Sequence, residues 1–219
     1  MPDAVIFDLD GVLADSEQLW NQAKLEVVRA TGGRWREDAP RAMMGMSSPE
    51  WSAYLRDELG VPLDRDTINR QVVEHMEALY RERLPLLPGA LDSVRAIGAI
   101  WPVGLASSSN REIIDLFLRE SGLADGFQVA VSSEQVARGK PAPDVYLETA
   151  RRLSADPARC VAVEDSSNGL RSAAAAGMRV IAVPNPHYPP DVDALALASK
   201  IVGSVGEVTP RLVRELPDR

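Results

Sequence analysis

The stretch Val5-Ile6-Phe7-Asp8-Leu9-Asp10-Gly11-Val12 decides the fold. Three apolar residues followed by an acid predict a short buried strand that ends in a carboxylate. Gly11 permits a tight turn, and alternate residues of an extended chain point the same way, so Asp8 and Asp10 can face one small volume. Two unit charges ~4 Å apart repel by about 4 kcal/mol at an effective dielectric near 20. A hard cation, a shared proton, or a divergent turn in which each Asp accepts backbone amides would relieve that repulsion. For an isolated Asp-x-Asp the turn is the commoner use. The rest of the chain shifts the balance.

With 219 residues the chain has room for one large domain or two small ones. A net charge of −8 argues against general binding to nucleic acid or an anionic membrane. An anionic substrate would therefore need a local cluster of positive charge. Cys160 is the single cysteine, so no disulfide within the chain is possible, and its apolar run makes it a small buried hydrophobe. Met1-Pro2-Asp3 carries no basic leader, and no apolar run approaches a membrane span. The expected compartment is the cytoplasm.

Downstream of the first strand, Asp15 or Ser16 can cap a helix whose apolar face carries Leu19, Trp20, Ala23, Val27 and Ala30, up to Gly32-Gly33. A second helix is expected from Ser48-Pro49-Glu50 to Leu59-Gly60, with Pro49 in the first turn. A third starts near Asp66 and carries Ile68, Val72, Val73, Met76, Leu79 and Tyr80. No strand-like alternation interrupts them, so residues 15–85 read as an inserted helical bundle. Leu84-Pro85-Leu86-Leu87-Pro88-Gly89 reads as a linker. Beyond it helices alternate with strands expected at 101–106, 127–131, 161–163, 180–183 and 201–202. Helices are expected at 90–97, 110–120 and 144–153, then from Ser166 to Gly177, and last after Thr209-Pro210. That alternation predicts an α/β fold: a doubly wound parallel sheet, Rossmann-like, formed by residues 1–14 and 86–219, with the all-helical segment 15–85 as a cap.

Open α/β sheets bind ligands beyond the carboxyl ends of their strands. Asp8, Asp10, Ser107, Glu164 and Asp165 all fall there, and Lys140 lies in a loop on the same side. Taken singly, each has an ordinary use: a strand-end serine with Ser109 as helix cap, a solvated lysine, acids at a helix start. Taken together, they make a set suited to phosphoryl transfer. Gly139-Lys140 is not a P-loop, because the earlier glycine is missing and Pro141 replaces Ser or Thr. His75 and His187 lack partners at metal-ligand spacing and read as surface residues.

Four motifs carry a family resemblance: Asp8-Leu9-Asp10-Gly11-Val12, Leu105-Ala106-Ser107, Lys140-Pro141-Ala142-Pro143-Asp144 and Val163-Glu164-Asp165-Ser166. In this order they resemble the haloacid dehalogenase superfamily, in the branch with a helical cap after the first strand, along the whole chain. The acid at position 10 favours the phosphatase-type members, since dehalogenase members lack it. The resemblance implies Asp8 as nucleophile and Asp10 as general acid and base. It implies Mg²⁺ held by Asp8, the Asp10 carbonyl and Asp165, with Glu164 beside them in a direct or an outer role. Ser107, Lys140 and the amides near Leu9 and Ser108 would grip the phosphoryl oxygens. Trp20 packs by default, but it and Glu17 sit where a cap helix can roof the substrate, and so become specificity candidates.

The expected activity is Mg²⁺-dependent hydrolysis of a small phosphomonoester, most like the hexose- and deoxyhexose-phosphate phosphatases of the family. The expected partner is a small phosphorylated metabolite, with no nucleic acid or membrane, and the protein is expected to act as a monomer. A β-phosphoglucomutase-type mutase is the alternative. Such members carry a cap histidine where this chain has Trp20 and an arginine where it has Ser48, so both of those cations are missing here, and Arg34, Arg41 or Arg81 could restore one charge. A non-enzymatic phospho-acceptor domain fits least, because it would be shorter and uncapped.

Overall fold

The computed structural model describes residues 1–217. Six strands make the sheet: β1 (Ala4–Phe7), β2 (Val103–Ser107), β3 (Val129–Ser132), β4 (Cys160–Glu164), β5 (Arg179–Ala182) and β6 (Lys200–Ile201). All pairs are parallel, in the order β3-β2-β1-β4-β5-β6. Val5 of β1 faces Val103 on one side and Val161 on the other. The strand order therefore reverses between β1 and β4, and a crevice opens beyond their carboxyl ends.

β1, β2, β4 and β5 are buried along their whole length, as a sheet covered on both faces requires. Val5, Phe7, Val161 and Val163 pack on one face against α5 (Ala90–Gly98), α6 (Arg111–Ser121) and α10 (Pro210–Glu215). Ala4, Ile6, Cys160 and Ala162 pack on the other against α7 (Asp144–Arg152) and α8 (Ser167–Ala175). Cys160 is a free thiol with no exposed surface. The strands at 103 and 129 begin two residues later than the apolar pattern suggests. Trp101 is still in the exit turn of α5, its N–H donating to Ile97 O.

Between β1 and α5 the chain forms α1 (Glu17–Thr31), α2 (Ala39–Ala42), α3 (Ser48–Asp57) and α4 (Arg65–Glu82), with no strand. Val27, Val28, Leu55, Ile68, Val72 and Met76 bury their common face, which runs on into the core below. α2, at four residues, is too short to leave a periodic signal. α3 stops at Asp57, short of Leu59-Gly60, and Gly60 takes the positive φ that reverses the chain. Its start is fixed by a reciprocal cap between Ser47 and Glu50. Ser16 stands at the N-cap of α1 but does not cap it; its hydroxyl donates to Asp10 instead. The two segments joining these helices to the sheet pair with each other, Asp15 N to Pro85 O at 2.7 Å and Leu87 N to Leu13 O at 3.0 Å. Among the described residues, no helix is long and apolar enough to cross a membrane. Residues 218 and 219 of the expected core segment lie outside the described residues.

α7 lies close over β2 because Gly104 has no side chain. A Cβ there would fall 2.6 Å from Thr149 Cγ2 and 2.9 Å from Leu153 Cδ1. Gly104→Ala is therefore expected to lower stability by about 1–3 kcal/mol through overpacking. Urea unfolding checks it, as a drop in the midpoint at an unchanged m value.

Candidate active site

Asp8 follows β1 directly, its N–H bonded to Val163 O at 3.0 Å, so its place is set by the β1–β4 pairing. The chain then doubles back, with Leu13 N and Ala14 N both donating to Leu9 O. Gly11 holds a φ of +78°, and a Cβ there would lie 1.9 Å from Asp165 Oδ2. The carboxylate of Asp165 occupies the space a side chain at residue 11 would need. β4 ends in Glu164, which is fully buried. Its carboxylate accepts from Lys140 Nζ at 2.6 Å, Tyr146 OH at 2.8 Å and Asp165 N at 3.0 Å. Gly169 in α8 is the matching gap on this side, since a Cβ there would meet that carboxylate at 1.9 Å.

Lys140, only 3% exposed, also lies 3.1 Å from Ala106 O and 2.9 Å from Asp8 Oδ1. The ion pair with Asp8 is close, but Oδ1 receives no aligned hydrogen bond. Burial alone would pull the Lys140 ammonium down, but the charges of Asp8 and Glu164 outweigh it and hold the group protonated. Burial pushes the Asp8 carboxyl up to about 8, against Lys140 and with help from the Glu164 and Asp10 charges. Asp165 is likewise raised, first by burial and then by Glu164 and Asp8.

Oxygens of Asp8, Glu164 and Asp165 come within 4.8 Å of one another, all three residues buried. One ammonium does not neutralise three carboxylates. The excess charge, the poorly bonded Asp8 Oδ1 and an all-oxygen donor set fit a hard divalent cation.

Asp10 takes a different course. Its Oδ1 accepts from the Ser16 hydroxyl and, at 3.0 Å, from Trp20 Nε1; its Oδ2 accepts from the Ser109 hydroxyl. Two of these donors come from the start of α1 and one from the loop after β2. The carboxylates of the Asp-x-Asp pair thus part company, and Asp10's stands outside the acidic cluster, leaving only its main-chain carbonyl as an expected metal group.

One cavity of about 60 Å³ is lined by Asp8, Asp10, Glu17, Trp20, Ser108, Lys140 and Asp165. Ser107 and Glu164 lie beneath it, both fully buried. Ser107 Oγ accepts from Ser109 N at 3.0 Å. An adjoining cleft of about 350 Å³ shares Met44 and Ser166 with the first and holds Arg41 and His187. His75, Arg34 and Arg81 are exposed, Arg81 pairing with Glu77 at 2.7 Å.

Four participants escaped the sequence reading. Ser16 and Ser109 read as helix caps from the sequence alone, and Tyr146 and Lys24 carry no reading there. Lys24 lines the cavity. It left a signal: at four residues from Trp20 and one from Ala23, it puts a charge inside the apolar stripe of α1.

Residues 2–177 match the family model for haloacid dehalogenase-like hydrolases, and the chain belongs to that family. It is 36% identical over 216 residues to hexitol phosphatase B of Escherichia coli (strain K12), spanning 95% of each chain. It is 33% identical over 181 residues to the phosphorylated carbohydrates phosphatase of Thermotoga maritima, spanning 82% of this chain and 83% of that one. The crystal structure of CbbY from Rhodobacter sphaeroides in complex with phosphate superposes with a TM-score of 0.85 at 31% identity, covering 95% of this chain and 96% of that one.

Raised carboxyls set the pH response of the metal-free protein. The folded pKa of Asp8, about 8, lies above its ordinary value of about 4. The stability it contributes is complete below pH 4 and is lost as pH rises through 8. In chelator, Tm should fall from pH 5 to pH 8.5, and added MgCl₂ should raise it more at pH 8.5 than at pH 5. An Mg²⁺ effect that is equal at both pH values would contradict the charge assignment.

Proposed function

We propose that the protein is a Mg²⁺-dependent phosphatase of a small sugar or sugar-alcohol phosphate, working through an aspartyl phosphate on Asp8. The observation that carries this reading is the buried set of Asp8, Glu164 and Asp165 around Lys140, with Asp10 held apart from it by hydrogen-bond donors. The names of the relatives, a hexitol phosphatase and a phosphatase of phosphorylated carbohydrates, support the substrate class.

In this reading a carboxylate oxygen of Asp8 attacks phosphorus, and the Asp8–phosphorus bond forms as the bond to the ester oxygen breaks. Asp10 gives its proton to the leaving alkoxide. Asp10 then takes a proton from a water that attacks the same phosphorus, which releases orthophosphate and restores Asp8. Lys140, Ser107, Ser108 and the amides near Leu9 and Ser108 hold the phosphoryl oxygens. Mg²⁺, held by Asp8, Asp165 and the Asp10 carbonyl, supplies the positive charge that offsets repulsion between substrate dianion and nucleophile. Glu164 already accepts from Lys140, Tyr146 and a main-chain amide, which favours a role in fixing Lys140 over direct ligation.

Residues 15–85 act as the cap over a core of 1–14 and 86–219. Hydrogen bonds cross between them from Ser48 to Glu134, Asn110 to Asn69, Asn21 to Tyr188 and Ser108 to the Gly45 carbonyl, besides those that Ser16 and Trp20 give to Asp10. Because Ser16 and Trp20 hold Asp10, cap closure also positions the acid/base. The same bonds weigh against a mutase. Trp20 spends its one N–H on Asp10 and Ser48 its hydroxyl on Glu134, so neither is free for a distal phosphate. We place the protein in the cytoplasm, acting as a monomer.

Two outcomes test the reading. Among phosphorylated metabolites assayed with MgCl₂ and with EDTA, a sugar or polyol monophosphate should release phosphate only with the metal, and Asp8→Asn should lower kcat at least ~10³-fold. Metal-independent turnover, or an Asp8→Asn variant of near-normal activity, overturns it. Asp10→Asn should cost roughly 10²–10⁴-fold on an alkyl phosphate and clearly less on p-nitrophenyl phosphate, whose leaving group needs little protonation. Equal losses on both would remove Asp10 from the acid role.

A further inference from the structure

Lys24 is a buried cation that nothing in the folded chain explains. It is 5% exposed, yet among the described residues its Nζ makes no ion pair within 4.0 Å and no hydrogen bond. Nζ stands 5.5 Å from the ring centroids of both Trp20 and Trp51, so two indoles flank it. Both rings line the same cavity, with Glu17 on the same helix seven residues earlier. Burial pulls the Lys24 ammonium down, while the Glu17 and Asp10 charges push back. Burial raises Glu17 in turn. An ammonium seated between two ring faces, with no carboxylate or carbonyl of the described residues in hydrogen-bond reach, has its donors open only to the cavity, an arrangement that an apolar residue at this place in α1 would avoid.

We propose that Lys24 and Glu17 form a specificity pair for the far end of the substrate, which is an uncharged polyhydroxylated tail. This rests on the phosphatase reading above and adds the chemistry of the part that does not react. The phosphoryl end is taken by Asp8 and Lys140 at the floor of the cavity. Lys24 and Glu17 are in the roof, on α1. The ammonium brings three donors and no acceptor; the carboxylate brings acceptors and no donor. A row of hydroxyls satisfies both at once, each hydroxyl donating to Glu17 or accepting from Lys24. The faces of Trp20 and Trp51 offer apolar surface to the C–H groups between the hydroxyls. The charges of Lys24 and Glu17 cancel, and Asp10 adds a negative charge close by. A second phosphate in this position would be drawn by one group and repelled by two. The pair therefore selects a monophosphate with a neutral tail over a bisphosphate, and over an alkyl phosphate that would leave both groups dry and unpaired.

The test is steady-state kinetics on four substrates, a hexitol 6-phosphate, a hexitol bisphosphate, hexyl phosphate and p-nitrophenyl phosphate, with wild type, Lys24→Met and Lys24→Arg. Lys24→Met should raise KM for the hexitol phosphate by about 20-fold with little change in kcat. Its loss in kcat/KM on p-nitrophenyl phosphate should be at least ~10-fold smaller. Lys24→Arg keeps donors and charge and should recover much of the loss. Equal losses on both substrates, a loss carried by kcat, or no recovery with arginine assigns Lys24 to packing and overturns the proposal. Wild type should also prefer the hexitol phosphate to hexyl phosphate at least ~10-fold, and to a hexitol bisphosphate. This comparison decides the matter if Lys24→Met does not fold, and a ratio near one, or a preferred bisphosphate, refutes the pair. Wild type that hydrolyses p-nitrophenyl phosphate but no polyol phosphate sinks this inference and leaves the aspartyl chemistry standing; wild type that hydrolyses neither sinks the phosphatase reading itself.

Discussion

Three carboxylates and one ammonium share a dry pocket at the place where the strand order turns, and the surrounding fold is fitted to that fact. Like charges at this spacing repel by several kcal/mol unless something positive stands between them. Lys140 is that group, clamped between Asp8, Glu164 and a main-chain oxygen of β2. Its three oxygens come from three adjacent strands, so the pairing of β2, β1 and β4 fixes where the ammonium stands. Two glycines make room for the acids: Gly11 for Asp165 and Gly169 for Glu164. The positive φ of Gly11 and the absence of a side chain at Gly169 are thus consequences of the charge cluster above them. An arrangement of this kind is costly to the empty protein and useful to a cation-bound one, as strained or unpaired groups at functional sites commonly are.

The floor of the site was legible in the sequence and the roof only in part. Asp8, Glu164 and Asp165 sit at strand ends, and a strand end points to the crevice whatever the loops do. The turn at Gly11 and the loop before α7 were readable on the same ground. Glu17 and Trp20 entered as roof candidates through the family resemblance, whereas Lys24 depends on how α1 lies over the sheet, which is a tertiary matter. A 3.6-residue period locates a buried face but cannot say whether that face meets other helices or a cavity. The serines show the same limit. Ser16 stands at the N-cap of α1 and Ser109 one residue before the N-cap of α6, and each gives its hydroxyl to Asp10. A half-buried carboxylate is a stronger acceptor than a helix end has need of a cap, and local rules do not know that the carboxylate is near. Strand limits slipped by two residues at 103 and 129 for a related reason, since an apolar residue leaving a helix looks like one entering a strand.

Floor and roof meet at Asp10. Its main chain belongs to the turn after β1, while its side chain is held by Ser16 and Trp20 of α1. The group proposed to move protons is therefore answerable to the helix proposed to read the substrate. One residue on each side of Trp20's face extends the link: the indole N–H goes to Asp10 and its ring lies beside Lys24. Recognition of the tail and placement of the acid run through a single side chain.

Cys160 adds a practical consequence. It begins β4, between β1 and β5 in the middle of the sheet, with no exposed surface and its thiol pushed up to about 12 by burial. An alkylating reagent needs the thiolate and needs to touch it. Neither condition holds while the strands are zipped. Since the chain has no other sulfhydryl, the rate at which it takes up one label is a clock for the unzipping of the strand that carries Glu164, readable without adding any probe to the molecule.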